Sequence, residues 1–288
     1  MTGSLSLADT LDEARAAPRF TYASPELNKL GRGIVRLLEF ASGQPRIRRL
    51  YEDHARLARP HELFWQDAID ALELDVRTDR DPRGAIPASG PLVVVANHPF
   101  GVLDGIILCR LVAQERGDFQ IMTHRVLHQA PEVRAHILPV DFSGTDASTK
   151  NNLESRRKAR ELLDLGGALL VFPGGGVATA TGALGPVVER PWGPLTAKLA
   201  LAAGADVLPV YFHGQNSRLF HIASHIHQAL RYGLLFHEVR NKIGRRIDVK
   251  IGGVIAYERL REFDDARAAT AFLHGATHAL AGSASIKV

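Results

Sequence analysis

Two side chains able to carry and orient a proton, His98 and Asp104, flank a tight bend in "VVVANHPFGVLDGIIL", residues 93 to 108. The apolar run before Asn97 reads as a buried strand, so His98 falls just past its carboxyl end. Pro99 biases the preceding residue toward extended backbone, and Gly101 is free to take positive φ and turn the chain back. Asp104 falls at or near the start of the helical pattern "DGIILCRLVAQERG". A carboxylate there can accept a hydrogen bond from one imidazole nitrogen and leave the other as an acceptor, the arrangement of a general base. The same Asp is also a good helix N-cap, favoured by the helix dipole, and a His in a polar loop is often only solvated. The residues by themselves leave both readings open.

Other chemistry-bearing residues are weaker candidates. In "ALLVFPGGGVATA" three glycines, Gly174 to Gly176, follow an apolar strand pattern. Successive glycines there present N–H groups to an anion or oxyanion, or simply form a turn. His221 and His225 stand four apart on one helix face, a zinc-compatible spacing, but no Glu follows His221 and no third ligand is evident. No metal is expected. Ser217 lacks a Gly-x-Ser-x-Gly elbow, "PGGG" lacks the Lys-Ser/Thr of a P-loop, and no dinucleotide fingerprint follows a strand, so no cofactor is expected. Cys109 lies in an apolar helical run, poor surroundings for a nucleophile. Lys150, Arg156, Arg157, Lys158 and Arg160 share one helical segment, either a docking site for coenzyme phosphates or an acidic carrier protein, or a solvated face.

These residues need elements to hold them. The chain has 288 residues, 45% hydrophobic and 23% charged, which suits a globular protein with a large core. A single Cys cannot form an internal disulfide and fits a reducing cytoplasm. No run approaches the ~18 apolar residues of a membrane span, and "MTGSLSLADTLDEARAAP" lacks the apolar core of a secretory signal. The net charge of +4 permits an anionic partner without selecting one. Aromatic residues make up only 7% and are not interleaved with the basic ones, which argues against nucleic acid.

Strand patterns "LVVVAN", "FQIMTH", "HILPVDF", "ALLVFP", "DVLPVYF" and "RIDVKIGGVI" alternate with helical patterns near 104–116, 147–165, 191–203, 217–241 and 264–281. Continuous apolar strands separated by helices predict an α/β fold, a mostly parallel central sheet flanked by helices, over residues 81–288. Residues 1–80 show no convincing strand and read as an N-terminal helical arm. Leu27, Leu30, Ile34, Leu37 and Leu38 recur there at helical spacing with Lys29, Arg32 and Arg36 between them. That arm either lies in a membrane interface or packs on the domain.

"NHPFGVLD" resembles the Asn-His…Asp signature of the glycerolipid and lysophospholipid acyltransferase family, the 1-acylglycerol-3-phosphate acyltransferase-like enzymes. "LLVFPGGG" stands where that family has Phe-Pro-Glu-Gly, and "ADVLPVYFHGQNS" is similar to its later strand with a Val-Pro pair. The resemblance covers about residues 85 to 255. It extends to a variant branch related to ornithine-lipid acyltransferases and hemolysin-like proteins, with the pattern NHP-x-G-x-LDG. It implies acyl transfer from acyl-CoA or acyl-carrier protein, as co-substrate, to a lysolipid or glycerolipid acceptor in phospholipid or aminolipid biosynthesis. It further implies His98 as general base, Asp104 as its orienter, and Asn97, Gly101, Arg125, Phe172, Pro173, Gly174, Gly175 and Gly176 at the substrate site. Pro209 belongs to a supporting strand. The implied place is cytoplasmic, peripheral on the inner face of the cytoplasmic membrane.

The chain departs from the family three times. Five residues separate His98 from Asp104 instead of four; Gly174 replaces the motif Glu; and Asp141 stands where an Arg would grip the acceptor's phosphate. The last departure weakens phosphate-bearing acceptors and is compatible with an amino-containing lysolipid. The competing expectation is a non-catalytic membrane- or lipid-binding protein on the same fold.

Overall fold

The computed structural model of the chain describes residues 21, 23, 29–55, 63–124, 131–141, 145–182 and 185–282. The strands are β1 (Asp75–Thr78), β2 (Leu92–Ala96), β3 (Phe119–His124), β4 (Ile137–Val140), β5 (Ala168–Val171), β6 (Thr179–Ala180), β7 (Val187–Val188), β8 (Asp206–Phe212) and β9 (Arg246–Ile251). β2 and β5 are unbroken apolar runs, buried along their whole length, which suits a sheet covered on both faces. Seven strands form that sheet in the order β1-β9-β8-β2-β5-β3-β4, while β6 and β7 make a separate antiparallel ribbon. Every neighbouring pair in the large sheet is parallel except β8 with β9.

Alternate residues of one strand feed two cores. From β2, Leu92, Val94 and Ala96 pack with helices α3 (Phe64–Ala71) and α4 (Val102–Ala113). Val93 and Val95 pack on the other side with α5 (Asp146–Asp164), α6 (Leu195–Ala203) and α9 (Ala266–Ala279). Two helices not yet placed, α7 (Arg218–Ile226) and α8 (Gln228–Lys242), follow β8. The pattern over 217–241 predicted one helix; the observed pair breaks at His227, whose backbone is extended at φ −163°, ψ 141°.

The N-terminal segment differs from expectation in one respect. Residues 75–78, read as part of an all-helical arm, form edge strand β1 paired with β9. "DVRT" carries no continuous apolar run because an edge strand is only half covered. α1 (Lys29–Ser42), followed by α2 (Gln44–Ala55), lies across α8, where a Cβ on Gly233 would come within 2.6 Å of Leu38 Cβ. The buried face of α1 consists of Val35, Glu39 and Ser42, with Ser42 Oγ donating to the Gly233 carbonyl at 2.9 Å. The apolar stripe Leu30, Ile34 and Leu37 faces solvent together with Phe40. Leu27 lies outside the described residues. Among the described residues no helix is long and apolar enough to cross a membrane.

Candidate active site

The carboxyl end of β2 opens between the segments that follow β5 and β8. Asn97 closes one side: its amide donates to the Phe212 carbonyl at 2.9 Å and accepts from the Phe212 N–H at 2.7 Å. Asn97 is therefore spent on tying the bend to β8. His98 projects next, its ring stacked on Phe172 at 4.1 Å between centroids. The His98 carbonyl accepts the Ala178 N–H at 2.8 Å, which ties the bend to the chain beyond the glycines.

The extra residue between His98 and Asp104 is absorbed in the turn. Gly101 takes φ +96°, and the N–H groups of Phe100 and Gly101 both point at Asp104 Oδ2, at 2.9 and 2.8 Å. That oxygen also lies 2.9 Å from His98 Nδ1, an approach bent away from the ideal N–H direction. Catalytic hydrogen bonds often align fully only once substrate is bound. The N-cap of α4 is Gly101, not Asp104; Asp104 is the third residue of the helix, and its carboxylate both takes the N-cap N–H and faces the imidazole. Asp104 is fully buried, and burial pushes its carboxyl above the usual range, opposed by His98 and by the two backbone N–H groups. His98 is part-exposed, and its Nε2 has no protein partner among the described residues. A part-exposed imidazole with one nitrogen against a buried carboxylate and the other open can accept a proton from a bound hydroxyl or amine.

Phe172 to Gly176 form the opposite wall. The Gly175 N–H is used internally on the Phe172 carbonyl at 2.9 Å, and Gly175 has φ +64°. The N–H groups of Gly174 and Gly176 have no partner among the described residues, so two donors remain, not three. The Pro173 carbonyl accepts from Gly193 at 3.2 Å.

A family model described as Acyltransferase matches residues 78–283, a span that contains this entire constellation. The chain belongs to the acyltransferase family. It is similar to a protein named lyso-glycine lipid O-acyltransferase from Phocaeicola vulgatus, 23% identical over 172 residues. That match takes in 56% of this chain and 58% of the relative, so the chain spans little more than half the length of the curated protein it matches. The solved structure of the 1-acyl-sn-glycerophosphate (LPA) acyltransferase PlsC from Thermotoga maritima superposes with a TM-score of 0.50 at 17% identity. It covers 86% of each chain and shows a shared α/β fold.

Other residues singled out from the sequence are placed away from His98 or used elsewhere. Arg125 lies outside the described residues. Cys109 is buried in α4 and its thiol is pushed well up by burial, as its apolar surroundings predicted. Arg157, Lys158 and Arg160 are paired along α5 with Glu154, Glu161 and Asp164. Their charge is largely matched on their own helix. His221 Nδ1 accepts the Ala180 N–H at 3.4 Å and His225 Nε2 meets the Ala180 carbonyl at 2.7 Å, so the pair clamps β6. Ser217 caps α7 and donates to Glu238 at 2.5 Å. Asp141 directly follows edge strand β4, its backbone held by the Asn152 amide.

Several residues around the bend escaped the sequence reading. Lys242 stands over the Phe100 ring at 5.1 Å, 3.8 Å from buried Glu238, and feels the Asp104 charge; burial lowers its pKa. Arg231 donates to Thr179 Oγ1 at 2.7 Å and to the Val177 carbonyl at 2.5 Å. Its pKa is lowered to about 10, first by burial and then by the charge of Arg190. Arg190 lines Gly176, whose Cβ would lie 3.4 Å from the guanidinium. Neither Arg has a carboxylate partner among the described residues. The only sequence signal for any of these was the i,i+4 spacing of Glu238 and Lys242.

Proposed function

We propose that this chain transfers a fatty acyl group from an acyl thioester to the hydroxyl of a lysolipid, with His98 as general base. The observation that carries the reading is the His98–Asp104 pair at 2.9 Å, with the second imidazole nitrogen free of any partner among the described residues. In the proposed step the acceptor hydroxyl gives its proton to Nε2 while its oxygen attacks the thioester carbonyl. The tetrahedral oxyanion meets the unspent N–H groups of Gly174 and Gly176. Collapse expels the thiolate of coenzyme A or carrier protein, which takes the proton from His98, and no covalent enzyme intermediate is needed. Asp104 stabilises the imidazolium during that interval.

Arg190 and Arg231 favour an acceptor whose head group is anionic. Two guanidiniums without a carboxylate partner among the described residues, next to the glycine turn, take the place of the Arg absent at Asp141. Glycine carries a carboxylate, so a lyso-glycine lipid, the substrate in the relative's name, suits this pair and remains within the aminolipid class. The acceptor's chains stay in a bilayer, and the exposed Leu30, Leu37 and Phe40 on α1 supply a surface for it. The inner face of the cytoplasmic membrane, where acyl thioesters are present, is the proposed place of action.

The test is acceptor-dependent thiol release from long-chain acyl-CoA and acyl-carrier protein, on lyso-glycine lipid, lyso-ornithine lipid and lysophosphatidic acid. Wild type releases thiol fastest with lyso-glycine lipid, and His98→Ala loses about 10²–10⁴ of the rate. Equal release by wild type and variant, or none with either donor, refutes the base and leaves a lipid-binding protein on this fold.

A further inference from the structure

We propose that Glu189, His274 and His278 form a binding site for a divalent transition-metal ion, with zinc the best match to two imidazoles and one carboxylate. His274 and His278 stand one turn apart on α9, their ring centroids 4.3 Å from each other. Glu189, just past β7, meets the pair, with Oε2 in hydrogen-bond contact with His278 Nε2 at 3.1 Å. One ligand atom from each of the three lies within 4.8 Å of the others. Ligand atoms of a tetrahedral site are about 3.3 Å apart, so side-chain rotations of about an ångström close the set.

A second observation points to a cation. The Glu189 side chain is only 4% exposed, and its Oε1 has no hydrogen-bond partner among the described residues. Oε1 lies on the Gly174 side, 3.2 Å from where a Cβ on that residue would stand, and Oε2 faces the imidazoles, so an ion held by Oε2 and the two rings offsets the cost of burying this carboxylate. Trp192 stands edge-on to His274, at 5.3 Å and 90°, and restrains the ring. Three protein ligands leave a fourth position for water.

The contrast with His221 and His225 strengthens the assignment. Both pairs have the same spacing on a helix, yet the first pair engages the backbone of Ala180, while the second meets a carboxylate. Glu189 also packs against the active-site wall: a Cβ on Gly174 would lie 3.0 Å from Glu189 Cγ. A metal here ties α9 to the back of the glycine turn, a bracing role independent of the acyl-transfer reading.

The experiment uses tag-free, full-length protein stripped with a chelator and titrated with ZnCl₂ by calorimetry and with CoCl₂ by visible absorption. The expected result is about one ion per chain, Co²⁺ bands with the intensity of a four-coordinate site, and a Tm raised by Zn²⁺. His274→Ala weakens binding by at least about tenfold, whereas His225→Ala leaves it unchanged. The near-isosteric Glu189→Gln gives the same loss should His274→Ala not fold. Substoichiometric binding, absence of the Co²⁺ bands, or equal affinity in wild type and Glu189→Gln overturns the site.

Discussion

At the scale of single residues, Asp104 works against its own burial. Its charged form is disfavoured because no water reaches it, and His98 and two backbone N–H groups recover only part of that cost. A carboxyl with a raised folded pKa contributes stability when protonated, at low pH, and loses that contribution as pH rises through the raised value. The ionised form is therefore the costly one, and it is the form that the proposed role beside His98 calls for. Asp104→Asn removes the charge while its amide oxygen can still accept the N–H groups of Phe100 and Gly101. The expected outcome is a Tm at neutral pH equal to or above wild type, with turnover lower by about 10²–10⁴ because His98 loses its orienting anion. The Tm gap narrows as pH falls and the wild-type carboxyl takes up its proton. Thermal melts across about pH 5–8, beside thiol-release rates, check both halves, and a variant that is less stable yet fully active contradicts the role. The His98–Asp104 pair was legible in the sequence because both residues lie in one bend. Lys242 and Glu238 were not, because only the folded chain brings α8 over Phe100.

At the scale of elements, the turn between β2 and α4 depends on Gly101. Its φ of +96° is a region that L side chains rarely adopt, and an added Cβ would meet Val177 Cγ2 at 3.1 Å and Leu235 Cδ2 at 3.3 Å. Gly101→Ala is expected to cost about 1–3 kcal/mol of stability in urea unfolding. Activity should fall further than that loss of folded protein explains, because the Gly101 N–H holds Asp104 toward His98. Activity that merely tracks the folded fraction shows that the turn positions nothing. The same element shows why the sheet was readable: β2, β5 and β8 are buried on both faces, so apolar runs had to be continuous. β1 escaped because a half-covered edge writes no such run. The break at His227 escaped because "HIHQAL" contains neither Gly nor Pro to mark it. The apolar stripe of α1 was seen, but whether it packs inward or faces out depends on α8, which contacts Leu38 and Ser42 instead.

At the scale of the molecule, two helices leave apolar side chains in water on either side of one small core. α1 exposes Leu30 at 74%, Leu37 at 69% and Phe40 at 71%, and α7 exposes Leu219, Ile222 and Ile226. Val35 of α1 and Phe220 and Ala223 of α7 share that core with Val177, next to the residue whose N–H meets the His98 carbonyl. Lys29, Arg36 and Arg218 are exposed on the same helices, and Arg32 partly so. Apolar side chains flanked by cations suit an anionic bilayer surface, and on the proposed function the core beneath them, through Val177, sets that surface near the His98 bend. Full immersion of one such side chain is worth about 1.5–3 kcal/mol, so replacing two of them removes enough to read in a partition assay. Leu37→Asp combined with Phe40→Asp should reduce binding to phosphatidylglycerol vesicles by at least about tenfold. Its Tm should stay near wild type, because both side chains already lie in water in the free protein. Raising salt should weaken wild-type binding without abolishing it, since salt screens the basic residues and leaves the apolar contact. Wild-type and double-variant protein that sediment equally, or not at all, refute a membrane contact through α1; release of the variant alone supports it.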